Sequence, residues 1–69
     1  MTAPHKGFEI VLHAEGAPRR YRYEIHHQGR ALVTSPITYG REAEALREAQ
    51  AFVDGVDRLL GHDAPARSA

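Results

Sequence analysis

The sequence predicts an α+β domain: a three-stranded antiparallel sheet, then one C-terminal helix packed on one face, in the order βββα, completed by dimerisation. Three observations carry this. Phe8-Glu9-Ile10-Val11-Leu12 and Tyr21-Arg22-Tyr23-Glu24-Ile25 alternate with a period of two, the pattern of half-buried strands. Ala31-Leu32-Val33-Thr34 is short and partly β-branched, and it follows a tight turn signal. From Arg41 onward the apolar period switches to that of a helix.

The first expected strand runs from Gly7 to His13, with Phe8, Ile10 and Leu12 inward and Glu9, Val11 and His13 outward. Gly16 and Pro18 mark its end, because Gly permits turn dihedrals and Pro cannot donate to a ladder. The second strand spans about Arg20 to His27. Tyr21, Tyr23 and Ile25 share one face; Arg20, Arg22, Glu24 and His26 share the other. Gln28-Gly29 then predicts a two-residue hairpin. That turn pairs His27 with Arg30, Ile25 with Leu32 and Tyr23 with Thr34, and a one-residue slip would invert the faces. Pro36 ends the third strand.

The helix is expected to start near Gly40 or Arg41, with Glu42 and Glu44 favouring the positive end of its dipole. Leu46, Ala49, Phe52 or Val53, Val56, and Leu59 or Leu60 recur at helical spacing. Gly61 is the expected residue just past the end, with Arg58 and His62 beside it. A glycine inside a helix, here Gly55, costs about 1 kcal/mol relative to Ala. The helix is nonetheless expected to continue, because Val56, Leu59 and Leu60 still need burial. The predicted core is Phe8, Ile10, Leu12, Tyr23, Ile25, Leu32, Leu46, Ala49, Phe52 and Val53.

Sixty-nine residues make one small domain, placed at 1–62, with a disordered tail at 63–69. Domains of this size are marginal unless a disulfide, a metal or a second chain adds stability. There is no cysteine, which removes disulfides and thiolate metal sites and fits a reducing compartment. Association is then the expected route to a larger core. Nine basic and nine acidic residues cancel, so net charge gives no pull toward nucleic acid or membrane. Residues 1–30 are mildly basic and residues 31–69 mildly acidic. No apolar run approaches the ~18 residues that span a bilayer. Met1-Thr2-Ala3-Pro4-His5-Lys6 is too short and polar for a signal peptide, which makes the cytoplasm the default location.

Some residues carry a family likeness. Tyr21-Arg22-Tyr23-Glu24-Ile25, the Gly29 turn, Leu32-Val33-Thr34-Ser35, Tyr39 and the small and charged residues opening the helix resemble one repeat of the YegP-like family, small bacterial proteins of uncharacterised function. The likeness covers roughly Phe8 to Val56. It implies a βββα unit that occurs in tandem or pairs with a second copy, and it supplies no catalytic residues. Two positions depart from the family pattern. The Gln28-Gly29 turn is one residue shorter than the family's loop, which ends in Asn-Gly, and Gly40 stands where the family tends to have Ser.

Candidate chemistry is thin. His26 and His27 are strand neighbours and point to opposite faces, so a metal would need His26 joined by His13, Glu9 or Glu24 across the ladder. No metal site and no cofactor is expected. Glu9 and Glu24 interleave with Arg22, which favours a cross-strand ion pair over acid–base work. No nucleophile motif or phosphate-cradling loop occurs, and no catalytic residue or enzymatic activity is expected.

Two functions from different classes remain. The leading one is a non-enzymatic homodimeric interaction or assembly module, with Val56, Leu59 and Leu60 as the candidate interface. The rival is weak nucleic-acid binding by a basic outer sheet face carrying Arg20, Arg22 and Arg30, against which the neutral net charge weighs.

Overall fold

The computed structural model describes residues 1–60. The expected C-terminal cap at Gly61, His62 and the expected tail at 63–69 lie outside the described residues. The fold is α+β: an antiparallel sheet of four strands in the order β1-β2-β3-β4, followed by one helix. The strands are β1 Thr2–His5, β2 Phe8–Glu15, β3 Arg20–His27 and β4 Arg30–Thr34; the helix α1 is Glu42–Leu59.

The expectation of three strands is corrected by β1. Its turn has the same chemistry as the one read correctly at Gln28-Gly29. Lys6 and Gly7 have φ of 52° and 83°, and Gln28 and Gly29 have φ of 54° and 78°. Two successive positive φ values make a type I′ turn, whose twist matches that of the flanking strands. His5 therefore pairs with Phe8, Pro4 with Glu9, Ala3 with Ile10 and Thr2 with Val11. The N–H of Leu12 donates to the Met1 carbonyl at 2.7 Å. Hydrogen-bonded and open pairs alternate along an antiparallel ladder, so Pro4 falls at an open pair and its nitrogen faces away from β2.

In the β2–β3 pair Ile10 faces Ile25 and Leu12 faces Tyr23, as the alternation predicted. In the β3–β4 pair His27 faces Arg30, also as predicted, but the register then shifts between Ile25 and His26. His26 faces Ala31 and Ile25 faces Val33, leaving Leu32 as the extra residue of a bulge. The predicted pairs Ile25–Leu32 and Tyr23–Thr34 are thus corrected. One inserted residue swaps the faces, so Val33 packs on the core while Leu32 is 53% exposed. The ladder then ends in a side-chain substitution. Ser35 N–H donates to the Tyr23 carbonyl at 2.8 Å, while the buried Ser35 Oγ accepts from Tyr23 N–H at 3.2 Å and donates to the Ile37 carbonyl at 2.9 Å.

The helix runs unbroken through Gly55, as expected, and packs chiefly on β2 and β3. The core is Phe8, Ile10, Leu12, Tyr23, Ile25, Ala45, Ala49 and Val53. The predicted helix face was turned too far toward its large residues. Ala45, Ala49 and Val53 are fully buried, and Asp57 continues that row. Small side chains let the helix axis approach the sheet, and the bulky residues of the same helix are left on the shoulders of the contact. Leu46 is only half-buried, and Phe52 is 40% exposed. Phe52→Ala is therefore expected to cost less than truncation of a fully enclosed side chain.

Candidate functional site

The helix carries a second apolar line beside the buried one. Phe52, Val56 and Leu59 follow each other at steps of four and three residues, with Gly55 between them and Glu48 one turn earlier. At about 100° per residue this flank is turned roughly 75° from the sheet-facing row, so that Val56 still touches the core while Phe52 and Leu59 do not reach it. Ala51, Phe52, Gly55, Val56, Arg58 and Leu59 line a shallow groove of about 450 Å³. Among the described residues nothing lies within 4 Å of where a Cβ on Gly55 would stand.

Contacts on either side of the helix orient the flank. Asp54, on the opposite shoulder, binds the start of the sheet: His5 Nε2 lies 2.8 Å and Lys6 Nζ 3.2 Å from its Oδ1. Tyr39 lies on the other side. It exchanges two backbone hydrogen bonds of 2.8 Å with Tyr21, along the edge of β3 that β4 also occupies. Burial raises the phenol pKa of Tyr39, and the carboxylates of Glu48 and Glu44 raise it further. The Phe52–Leu59 flank, which shares its side with Glu48, therefore overhangs the β4 side of the sheet.

The three residues expected at an interface are not equivalent. Leu59 is 87% exposed and lies on this flank with Val56, which is half-buried against the core. Leu60, 58% exposed, closes the helix as its C-cap and follows the line of the buried row. Phe52 belongs to the flank, although its helical spacing suggested a core position.

The three candidate arginines do not converge. Arg20 donates through Nε to Thr38 Oγ1 at 3.0 Å and through Nη2 to the Thr38 carbonyl at 2.9 Å. Arg22 pairs with Glu15 at 2.8 Å on the outer face. Arg30 stands opposite His27 at the far end of the β3–β4 hairpin, and His27 stacks on the core residue Phe8 with ring centroids 4.7 Å apart. Alternation thus puts Arg30 on the helix side of the sheet, away from Arg20 and Arg22.

The histidines and glutamates of the outer face do meet, around Glu24. His26 Nε2 lies 2.9 Å from Glu24 Oε1, and His13 Nε2 lies 3.5 Å from Glu24 Oε2. An ionised carboxylate only accepts, so the nearer ring nitrogen carries the proton. The two imidazoles occupy opposite oxygens and do not share one point. Among the described residues no group of three or more such side chains is placed to hold a metal ion. The His26 bond, followed by the His13 bond, pulls the Glu24 carboxyl below its ordinary value of 4.5. Bonds from His5 and then Lys6 pull Asp54 below 3.8. A carboxyl depressed in the folded state adds stability above its unfolded pKa and loses it as pH falls through the folded value. Thermal melts of wild type are therefore expected to drop as pH is lowered from about 4.5. Glu24→Gln is expected to melt lower at neutral pH and to show a shallower drop in acid. Parallel curves for the two proteins would remove the role assigned to Glu24.

A second cleft, of about 370 Å³, is lined by Gly7 and Gly29 of the two type I′ turns together with Pro4, Glu9 and His26. Its one imidazole is the ring already bound to Glu24. No described helix is long and apolar enough to cross a membrane. No family model, no curated protein and no solved structure matches the chain.

Proposed function

We propose that this chain is a small cytoplasmic assembly module that works by self-association and carries no catalytic chemistry. The observation that supports the reading is the apolar helix flank of Phe52, Val56 and Leu59, left uncovered by a sheet that the helix already fills with Ala45, Ala49 and Val53. A domain this small gains more from covering such a flank than a large one does, because its own core is limited. The resemblance to YegP-like repeats, which occur in tandem or as pairs, points the same way.

Association ties stability to concentration through mass action. The melting temperature is expected to rise when protein concentration is raised a hundredfold, and sedimentation equilibrium is expected to give twice the 7.7 kDa monomer mass at the upper end. A 7.7 kDa species throughout, with a constant melting temperature, would refute the proposal. Nucleic-acid binding by Arg20, Arg22 and Arg30 is the competing proposal. Retention on immobilised DNA that declines steeply with salt would favour it.

A further inference from the structure

The flank has a polarity that selects how a second copy fits, and this inference rests on the self-association proposed above. Glu48 stands one turn before the apolar line, and Arg58 lines the groove beside the C-terminal part of that line. Both are exposed, and neither makes an ion pair among the described residues. Between them, Phe52 projects as a knob and Gly55 leaves a gap with open space above it.

A parallel pair of these helices would set Glu48 against Glu48 and Arg58 against Arg58. An antiparallel pair does the reverse. With the two-fold axis midway between Phe52 and Gly55, Glu48 lies about 8 Å to one side along the helix and Arg58 about 7 Å to the other, at about 1.5 Å per residue. The acidic end of one helix then lies level with the basic end of the other. The same axis places each Phe52 over the Gly55 gap of the other copy.

Gly55 supports the arrangement from a separate direction. A glycine within a helix is unfavourable against alanine, and among the described residues nothing occupies the space a methyl would fill. The described residues give no packing reason for it; a facing aromatic ring does. Among the described residues the approach to Phe52, Gly55 and Leu59 is also open, on the side of the helix that overhangs β4.

We infer that two copies of this chain join as an antiparallel helix pair, Phe52 of each seated over Gly55 of the other and Arg58 of each facing Glu48 of its partner.

The test is a charge-reversal series followed by sedimentation equilibrium, with circular dichroism to confirm that each variant is folded. Arg58→Glu and Glu48→Arg are each expected to weaken association by about tenfold, since two attractive pairs become two repulsive ones. The double variant, Glu48→Arg with Arg58→Glu, is expected to restore it. Gly55→Ala is expected to raise the melting temperature of dilute, monomeric protein while weakening association. Wild-type dimers that respond to none of these changes would overturn the antiparallel pair and leave self-association standing through another surface. Wild type that stays monomeric throughout would remove both readings. Singles that weaken association without recovery in the double variant would show that the two charges do not face each other, which also overturns the pair.

Discussion

Ile10→Ala is expected to destabilise the domain by about 4 kcal/mol, within the range of large-to-small changes at rigid core sites. Ile10 is fully buried at the centre of β2, opposite Ile25, which is equally enclosed, and in one cluster with Ala45, Ala49 and Val53. Neighbours on three sides resist collapse: β1 and β3 are hydrogen-bonded to the strand, and the helix lies across it. The space left by the lost atoms would therefore persist, and its walls would lose contact energy with nothing in return. Small domains begin with a total stability near 5 kcal/mol. The variant is expected to keep only about 1 kcal/mol, with its urea midpoint lowered to about 1 M. A midpoint near that of wild type would mean that Ile10 is not at the centre of the core.

Ala49→Leu is the second large effect, and it works in the opposite sense. The fully buried Ala45 and Ala49 set the distance between helix and sheet. Three added carbons at Ala49 have no cavity to enter, so the helix must lift or turn. Overpacking of this kind costs about 1–3 kcal/mol, which in a domain of this size lowers the melting temperature by roughly 5–20 °C. Ala43→Leu, on an exposed position of the same helix, is the control and is expected to melt close to wild type. Similar melting of the two variants would show that the Ala45–Ala49 row does not face the sheet. The contrast separates steric position from helix propensity, which the two substitutions share.

The strands β2 and β3 were legible because both faces of the ladder speak in the sequence: Phe8, Ile10, Leu12, Tyr23 and Ile25 alternate with charged residues and are buried together. The start of β1 was not. Thr2 and Pro4 face outward, and only Ala3 and His5 are partly enclosed, so no apolar alternation exists to find. The available signal was Lys6-Gly7, a two-residue turn of the same kind as Gln28-Gly29. Leu32 misled for a different reason. A bulge is fixed by how the strand leaves the sheet, here through the Ser35 side chain standing in the ladder, and the residue pattern of β4 is compatible with either register. On the helix, hydropathy ranks Phe52 and Leu46 above Ala45, yet close packing against a sheet selects small residues, so the larger pair moved to the shoulders. The apolar helix flank was half legible. Val56 and Leu59 were recognised as surplus apolar surface, whereas Phe52 was assigned to the interior and the matched charges at Glu48 and Arg58 had no partner to be matched against in a single chain.

Pro4 has a consequence for how far assembly can go. Its nitrogen sits on the outward side of β1, where an incoming strand would require a donor, and it has none. On the opposite border the extra residue at Leu32 breaks the even spacing of outward groups along β4. Neither border presents the long, regular template on which copy after copy could stack into a cross-β fibre. Contacts of the proposed helix pair would instead be self-complementary and used up once made. The proposed pairing would therefore have a closed stoichiometry, in which crowding fills a fixed number of places and does not lengthen a polymer.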